Sequence, residues 1–195
     1  MVAALACWLC AAAVSQTVPQ LKDGLITGAG FTLKLPPGVS AQIGANSESE
    51  HGFYIDLQPH PEHVESRSAH VRSFRYIAFD TRWDIGDMPS LDAAAQVVTS
   101  GITDNLPSYI VSSGDILLDG NYPARLGTLP ARRLVFKFRN SERKPSVRMV
   151  IVAYDARKDA SAIVYLLTLN TTQENYDEDL GVFGKVLAGF KLSDH

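Results

Sequence analysis

Val147-Arg148-Met149-Val150-Ile151-Val152-Ala153-Tyr154 and Ala162-Ile163-Val164-Tyr165-Leu166-Leu167-Thr168-Leu169 decide the fold of this chain. Both stretches are rich in β-branched and aromatic side chains, which suit a pleated, packed surface. Neither alternates cleanly between apolar and polar residues. A strand with one wet face would alternate, so near-continuous apolar runs of this length predict strands covered on both faces. Between them, Asp155-Ala156-Arg157-Lys158-Asp159-Ala160-Ser161 is a charged connector suited to a hairpin. Two helices on opposite faces of the sheet would supply the cover.

The neighbouring runs extend the sheet. Leu134, Phe136 and Phe138 alternate against Val135 and Lys137, and short strands are expected around Tyr109 to Ser113 and Asp115 to Leu118. Asp119-Gly120-Asn121 has turn chemistry. Toward the N-terminus, Phe31-Thr32-Leu33-Lys34-Leu35 alternates at period two and stops at Pro36-Pro37-Gly38. Phe53, Ile55 and Leu57 alternate against Tyr54 and Asp56, and Phe74 to Phe79 forms a third run. These three short runs predict an antiparallel meander.

Two helices punctuate the strands. Ser90 is the expected N-cap of the first, with Asp92 placed against the positive end of the helix dipole. Leu91, Ala95, Val98, Ile102 and Leu106 form its apolar face, and Pro107 ends it. The last helix opens on Thr171-Thr172-Gln173-Glu174, which matches a capping box. Its apolar stripe is Tyr176, Leu180, Phe183, Leu187 and Phe190. Acids fall early (Glu174, Asp177, Glu178, Asp179) and Lys185 and Lys191 late, as the macrodipole favours.

Met1 to Val14 reads MVAALACWLCAAAV, without a charged side chain. It is shorter than the roughly 20 residues that span a bilayer and matches the hydrophobic region of a secretory leader. Ala13-Val14-Ser15 offers small residues for cleavage before Gln16, although no Lys or Arg precedes the apolar run. The expected organisation is a signal peptide over residues 1–15, a linker over 16–30 and a single domain over 31–192. The mature chain would carry no transmembrane segment and would be exported, to the periplasm or beyond. Both cysteines, Cys7 and Cys10, fall in the leader. Ala4-Leu5-Ala6-Cys7 loosely resembles a lipoprotein acylation site, but the apolar run before Cys7 is short for one. The mature domain would then hold no disulfide and no thiol nucleophile.

Three stretches carry a resemblance to a known family: Gly30-Phe31-Thr32-Leu33-Lys34-Leu35-Pro36-Pro37-Gly38, Leu129-Pro130-Ala131-Arg132-Arg133-Leu134-Val135-Phe136, and Tyr165-Leu166-Leu167-Thr168-Leu169 continuing through Phe183 to Gly189-Phe190-Lys191. With the order of strands and helices, they resemble the PsbP-like superfamily across residues 31–192. The resemblance implies an α+β fold in which an antiparallel sheet is flanked by helices, an α/β/α sandwich. That superfamily includes a lumenal extrinsic subunit of photosystem II, a Ran-binding nuclear-import factor and many exported bacterial proteins. The chain lacks the Ser- and Arg-rich region of a chloroplast transit peptide, and a secretory leader does not suit a nuclear protein. The resemblance therefore implies the exported bacterial group. Its motifs concern packing and turns, so it transfers no functional residue.

Chemistry is sparse. Lys plus Arg number 18 against 21 Asp plus Glu, a net charge of −3, which argues against a nucleic-acid partner. There is no G-x-S-x-G elbow, no Walker A loop and no H-E-x-x-H. His51, His60, His63 and His70 cluster with Glu62 and Glu65 in and beside a long connector. His60-Pro61-Glu62-His63 would bring two imidazoles and a carboxylate near one ion, but the spacing matches no established zinc motif. A solvated polar loop is the simpler reading, and no cofactor or metal is expected. Phe79-Asp80-Thr81-Arg82-Trp83-Asp84 places Arg82 and Trp83, types favoured at interfaces, near a strand end. A Trp packed under a loop beside an Arg–Asp pair is the alternative. Arg132 and Arg133 point to opposite faces if they lie on a strand. Asn170-Thr171-Thr172 fits a glycosylation sequon.

Two functions follow from different classes. The first is an exported, non-catalytic binding or assembly module for a protein or cell-envelope partner. The alternative is a metal-handling protein or enzyme that uses the His60/His63 loop. A shallow surface with an exposed aromatic patch favours the first, and a deep pocket holding His60, His63 and an acid the second.

Overall fold

The two decisive runs lie side by side inside one sheet. In the computed structural model, which describes residues 19–28, 30–43, 52–57, 74–82, 89–104, 117–140, 142–156 and 162–193, they form strands β9 (Pro145–Ala156) and β10 (Ala162–Thr172). These pair antiparallel from Ala162 opposite Ala156 to Thr172 opposite Ser146. The other strands are β1 (Gln20–Lys22), β2 (Leu25–Gly28), β3 (Phe31–Lys34), β4 (Gln42–Ile43), β5 (Phe53–Asp56), β6 (Tyr76–Arg82), β7 (Leu117–Leu126), β8 (Leu129–Arg139) and β11 (Phe190–Leu192). Helix α1 spans Leu91–Asp104 and α2 spans Tyr176–Ala188. A seven-stranded sheet runs in the order β4-β5-β6-β10-β9-β8-β7, and a four-stranded sheet in the order β1-β2-β3-β11. Every paired strand is antiparallel.

Both faces of the central pair are covered. Met149, Ile151, Ala153, Tyr165, Leu167 and Leu169 point into a core shared with Phe183 and Val186 of α2 and with Ile26, Phe31, Leu33 and Phe190 of the small sheet. Val150, Val152 and Val164 point the other way, onto Ala94 and Ala95 of α1 with Leu134, Phe136 and Phe138 of β8. Burial on two sides favours apolar residues at successive positions, which is why the runs do not alternate. The larger core is aromatic. Phe31 lies 4.7 Å from Phe79 and 5.9 Å from Phe190, and Tyr165 meets Phe190 edge-on at 5.6 Å. Contacts of this kind add about 0.5–1.5 kcal/mol each beyond the area they bury.

Helix α1 opens as expected, the Ala93 amide donating to the Ser90 hydroxyl at 3.2 Å. Its expected end at Leu106 and Pro107 lies outside the described residues, as do the strand around Tyr109 to Ser113 and the leader with Cys7 and Cys10.

Several local expectations are corrected. Residues 20–28 are not a linker: β1 and β2 form a hairpin that is half of the small sheet. Its loop, Asp23-Gly24, has φ of 51° and 73°, the two positive values of a type I′ turn. The expected meander is split, because β3 pairs with β2 and β11 while β5 and β6 sit in the large sheet. Asp119-Gly120-Asn121 is not a turn. It lies within β7, where the register steps from Leu118 opposite Phe136 to Gly120 opposite Val135 around a bulge. The reversal comes later, at Gly127-Thr128, between Leu126 and Leu129. Asn170 is 0% exposed in the middle of the large sheet, so the sequon is closed to glycosylation in the folded protein.

The capping box is not formed either. Thr171 and Thr172 remain in β10, a 3-10 turn at Gln173–Asn175 follows, and Asn175 precedes α2 without a side-chain cap. The Thr171 hydroxyl is engaged elsewhere, donating to Asp179 Oδ2 at 2.5 Å. Asp179, one of the acids that the macrodipole favours early in the helix, is 1% exposed. It takes a two-pronged contact from Arg75, Nε to Oδ2 at 2.8 Å and Nη2 to Oδ1 at 2.5 Å. The buried line of α2 is therefore Asp179, Phe183 and Val186, with Tyr176, Leu180 and Leu187 flanking it, and Phe190 belongs to β11. Close approach completes the small sheet. The Lys34 amide donates to the Gly189 carbonyl at 3.0 Å, and a Cβ on Gly189 would fall 2.1 Å from the Lys34 carbonyl oxygen.

Candidate interaction surface

The β7–β8 hairpin carries three exposed large apolar side chains, among them the most exposed one of the described residues. Leu117 is 67% exposed, and Leu118 and Tyr122 are each 44% exposed. β7 is an edge strand, bonded to β8 on one side, and most of its residues face solvent.

Register composes the patch. The two-residue turn at Gly127-Thr128 sets Tyr122 opposite Arg133. The extra residue at Asp119 then brings Leu117 opposite Lys137. Since residues directly opposite share a face, Leu117, Tyr122, Arg133 and Lys137 lie on one face, as two cross-strand pairs four residues apart along β8. This is the face that carries α2 and the small sheet, because Ala131 and Val135 of β8 belong to that core. The Arg133 guanidinium lies over the Tyr122 ring, 5.1 Å from its centroid. Lys137 Nζ is 3.1 Å from Asp119 Oδ1, across the bulge.

Helix α2 borders the patch through Tyr176, which is half-buried. Its phenol is pushed above the ordinary tyrosine value, first by burial. Arg133 and Lys137 pull it back, and Asp177 and Asp119 push the same way as burial. Tyr176 thus stays neutral and supplies a hydroxyl beside the cations. Arg132 takes no part in the patch: it points to the opposite face and grips Asp92 of α1, Nε at 2.9 Å and Nη2 at 2.6 Å. The separation of Arg132 from Arg133 expected from the sequence is what the strand shows.

Of the sequence-selected candidates, His60, Glu62, His63 and Trp83 lie outside the described residues, with His51, Glu65 and His70. Arg82 is the last residue of β6, opposite Val164 of β10. Among the described residues no group of three or more His, Cys, Asp or Glu is placed to hold a metal ion, and no helix is long and apolar enough to cross a membrane. Sequence reading missed Tyr122, Leu117 and the pairing with Arg133. The misplaced turn hid them, since a turn at Asp119-Gly120-Asn121 leaves Tyr122 without a partner on β8.

Comparison with known proteins gives a fold. No protein-family model matches the chain, and no curated protein sequence matches it. Among solved structures, LpqN of Mycobacterium tuberculosis, described as involved in cell envelope biogenesis, is similar with a TM-score of 0.53 at 13% identity, covering 84% of this chain and 83% of that one. The Ran-binding protein Mog1p of Saccharomyces cerevisiae has a TM-score of 0.48 at 12% identity, over 85% of this chain and 91% of its own. The cyanobacterial PsbP of Synechocystis has 0.48 at 10% identity, over 84% and 87%. Similarity at such identities speaks to architecture and not to activity. The architecture of this chain, an antiparallel sheet with α1 on one face and α2 with a second sheet on the other, is the α+β fold that it shares with LpqN.

Proposed function

We propose that this protein is a non-catalytic binding or assembly module, exported by its apolar leader, that docks a protein partner on the exposed part of the β7–β8 face beside α2. The observation that carries this reading is the exposed Tyr122 ring in cation–π contact with Arg133, on the same face as the exposed Leu117. Tyr and Arg dominate interface hot spots because they offer large contact area together with directional hydrogen bonding. A monomer with no partner has little reason to hold such a cluster in water. An envelope setting agrees with the apolar run before Gln16 and with the description of LpqN.

Affinity capture from an envelope extract tests the reading, comparing residues 16–195 as they stand with a Tyr122→Ala/Arg133→Ala variant of matched melting temperature. A partner retained by the first should be lost by the second. Truncating a hot spot costs about 2 kcal/mol or more, roughly 30-fold in affinity. Equal retention by both proteins would remove this surface from the function.

A further inference from the structure

We propose that the partner of this surface is an acidic protein segment, received by the side chains of β8 rather than by strand addition to β7. The inference rests on the binding role proposed above and names its chemistry. Charge is distributed unevenly in this chain. Its net charge is −3, yet the β7–β8 hairpin contains Arg125, Arg132, Arg133, Lys137 and Arg139 against one acid, Asp119. Arg132 is neutralised by Asp92 and Lys137 leans on Asp119. Arg139 donates to the Arg143 carbonyl at 3.0 Å.

Arg133 differs from these. Its guanidinium carbon lies 5.1 Å from the centre of the Tyr122 ring, and among the described residues no carboxylate pairs with it. A cation–π contact occupies none of the N–H donors with an acceptor atom, so the guanidinium fork is available to a carboxylate through two parallel hydrogen bonds. Tyr122 fixes that fork in place, so less side-chain freedom is lost on binding. Leu117 and the half-buried Tyr176 give an apolar side chain of the partner somewhere to rest.

Strand addition is disfavoured by β7 itself. The bulge at Asp119 and the proline at position 123 interrupt the regular row of backbone donors and acceptors that an incoming strand needs. A lipid surface fits less well than a protein segment. It would set phosphates against Asp119 and Asp177 as well as against the cations, whereas a polypeptide can place its carboxylates one at a time.

Fluorescence anisotropy with a labelled glutamate–tyrosine copolymer tests the proposal directly. A chain of net negative charge should bind this polyanion only if it presents a local cationic site. The expected result is saturable binding that weakens with ionic strength and falls about tenfold or more in Arg133→Glu, with Arg133→Lys between the two. Arg133 is exposed, so both variants should melt like the parent. No binding by the parent, equal binding by Arg133→Glu, or binding of phosphatidylglycerol vesicles in place of the copolymer would overturn it. The two readings fail separately. Partner capture that depends on Tyr122 and Arg133 without copolymer binding leaves the surface and removes its acidic partner; capture indifferent to both residues removes the surface.

Discussion

Thr171 and Asn170 are neighbours on β10 and face opposite sides of the same sheet, and their polar groups are satisfied very differently. On the α2 side, the Thr171 hydroxyl meets Asp179, which also holds both prongs of Arg75. Burial of that carboxylate is tolerable because three donors replace the water it gave up. The same contacts hold the Arg75 guanidinium in its charged form, its pKa raised chiefly by the hydrogen bond to Asp179 against the opposing effect of burial. On the α1 side, the Asn170 carbonyl accepts from Arg148 Nε at 2.8 Å, but its Nδ2 has no hydrogen-bond partner among the described residues. Helix α1 packs on β8 and β9, whereas α2 sits directly over β10 and delivers an acid there. The difference lies in what each helix brings to the strand, not in the strand.

Breaking the satisfied side should produce the largest effect. Asp179→Ala takes the two-pronged contact from the nearly buried Arg75 cation and leaves it the exposed Glu178 carboxylate at 3.6 Å, and we expect a loss of about 3 kcal/mol or more in urea melts. A loss below about 1 kcal/mol would show that the pair is solvated in solution. Thr171→Val keeps the shape of the side chain and removes one donor to a charged acceptor. The expected cost is about 1.5–3 kcal/mol, again by denaturant midpoint at unchanged slope. The unsatisfied side should respond least. Asn170→Asp exchanges the unpaired donor for an acceptor beside Arg148, so the gain of a charge-assisted bond offsets burial of charge, and stability should move by less than about 1 kcal/mol. A loss above about 2 kcal/mol would mean that Nδ2 has an acceptor, and would erase the contrast between the two faces.

Much of the large sheet was legible because its signals are local. The unbroken apolar runs of β9 and β10 report two-sided cover, and Ser90 caps α1 as its position before an apolar period suggests. The small sheet was harder to see. β11 is three residues long and β1 is exposed throughout, so neither shows a period. Asp23-Gly24 is the one strong hairpin signal there, and the strands that flank it are too short to show a period. The interaction surface was hidden for a different reason. Tyr122, Arg133 and Leu117 come together through register, and register in this hairpin depends on a turn at Gly127-Thr128 and an extra residue at Asp119.

The amino-acid order by itself determined which segments must be buried on two sides, where α1 begins and that a helix follows β10. Propensity, capping and apolar period act over a few residues, and a reader of sequence has those within reach. Only the tertiary structure decided the roles of Asp179 and Thr171. Local rules assign Asp179 to the helix dipole and Thr171 to a cap, and both assignments are reasonable within one helical turn. Arg75, 104 residues from Asp179 in the chain, overrides them, because a buried carboxylate gains more from a bidentate cation than an exposed one gains from a dipole.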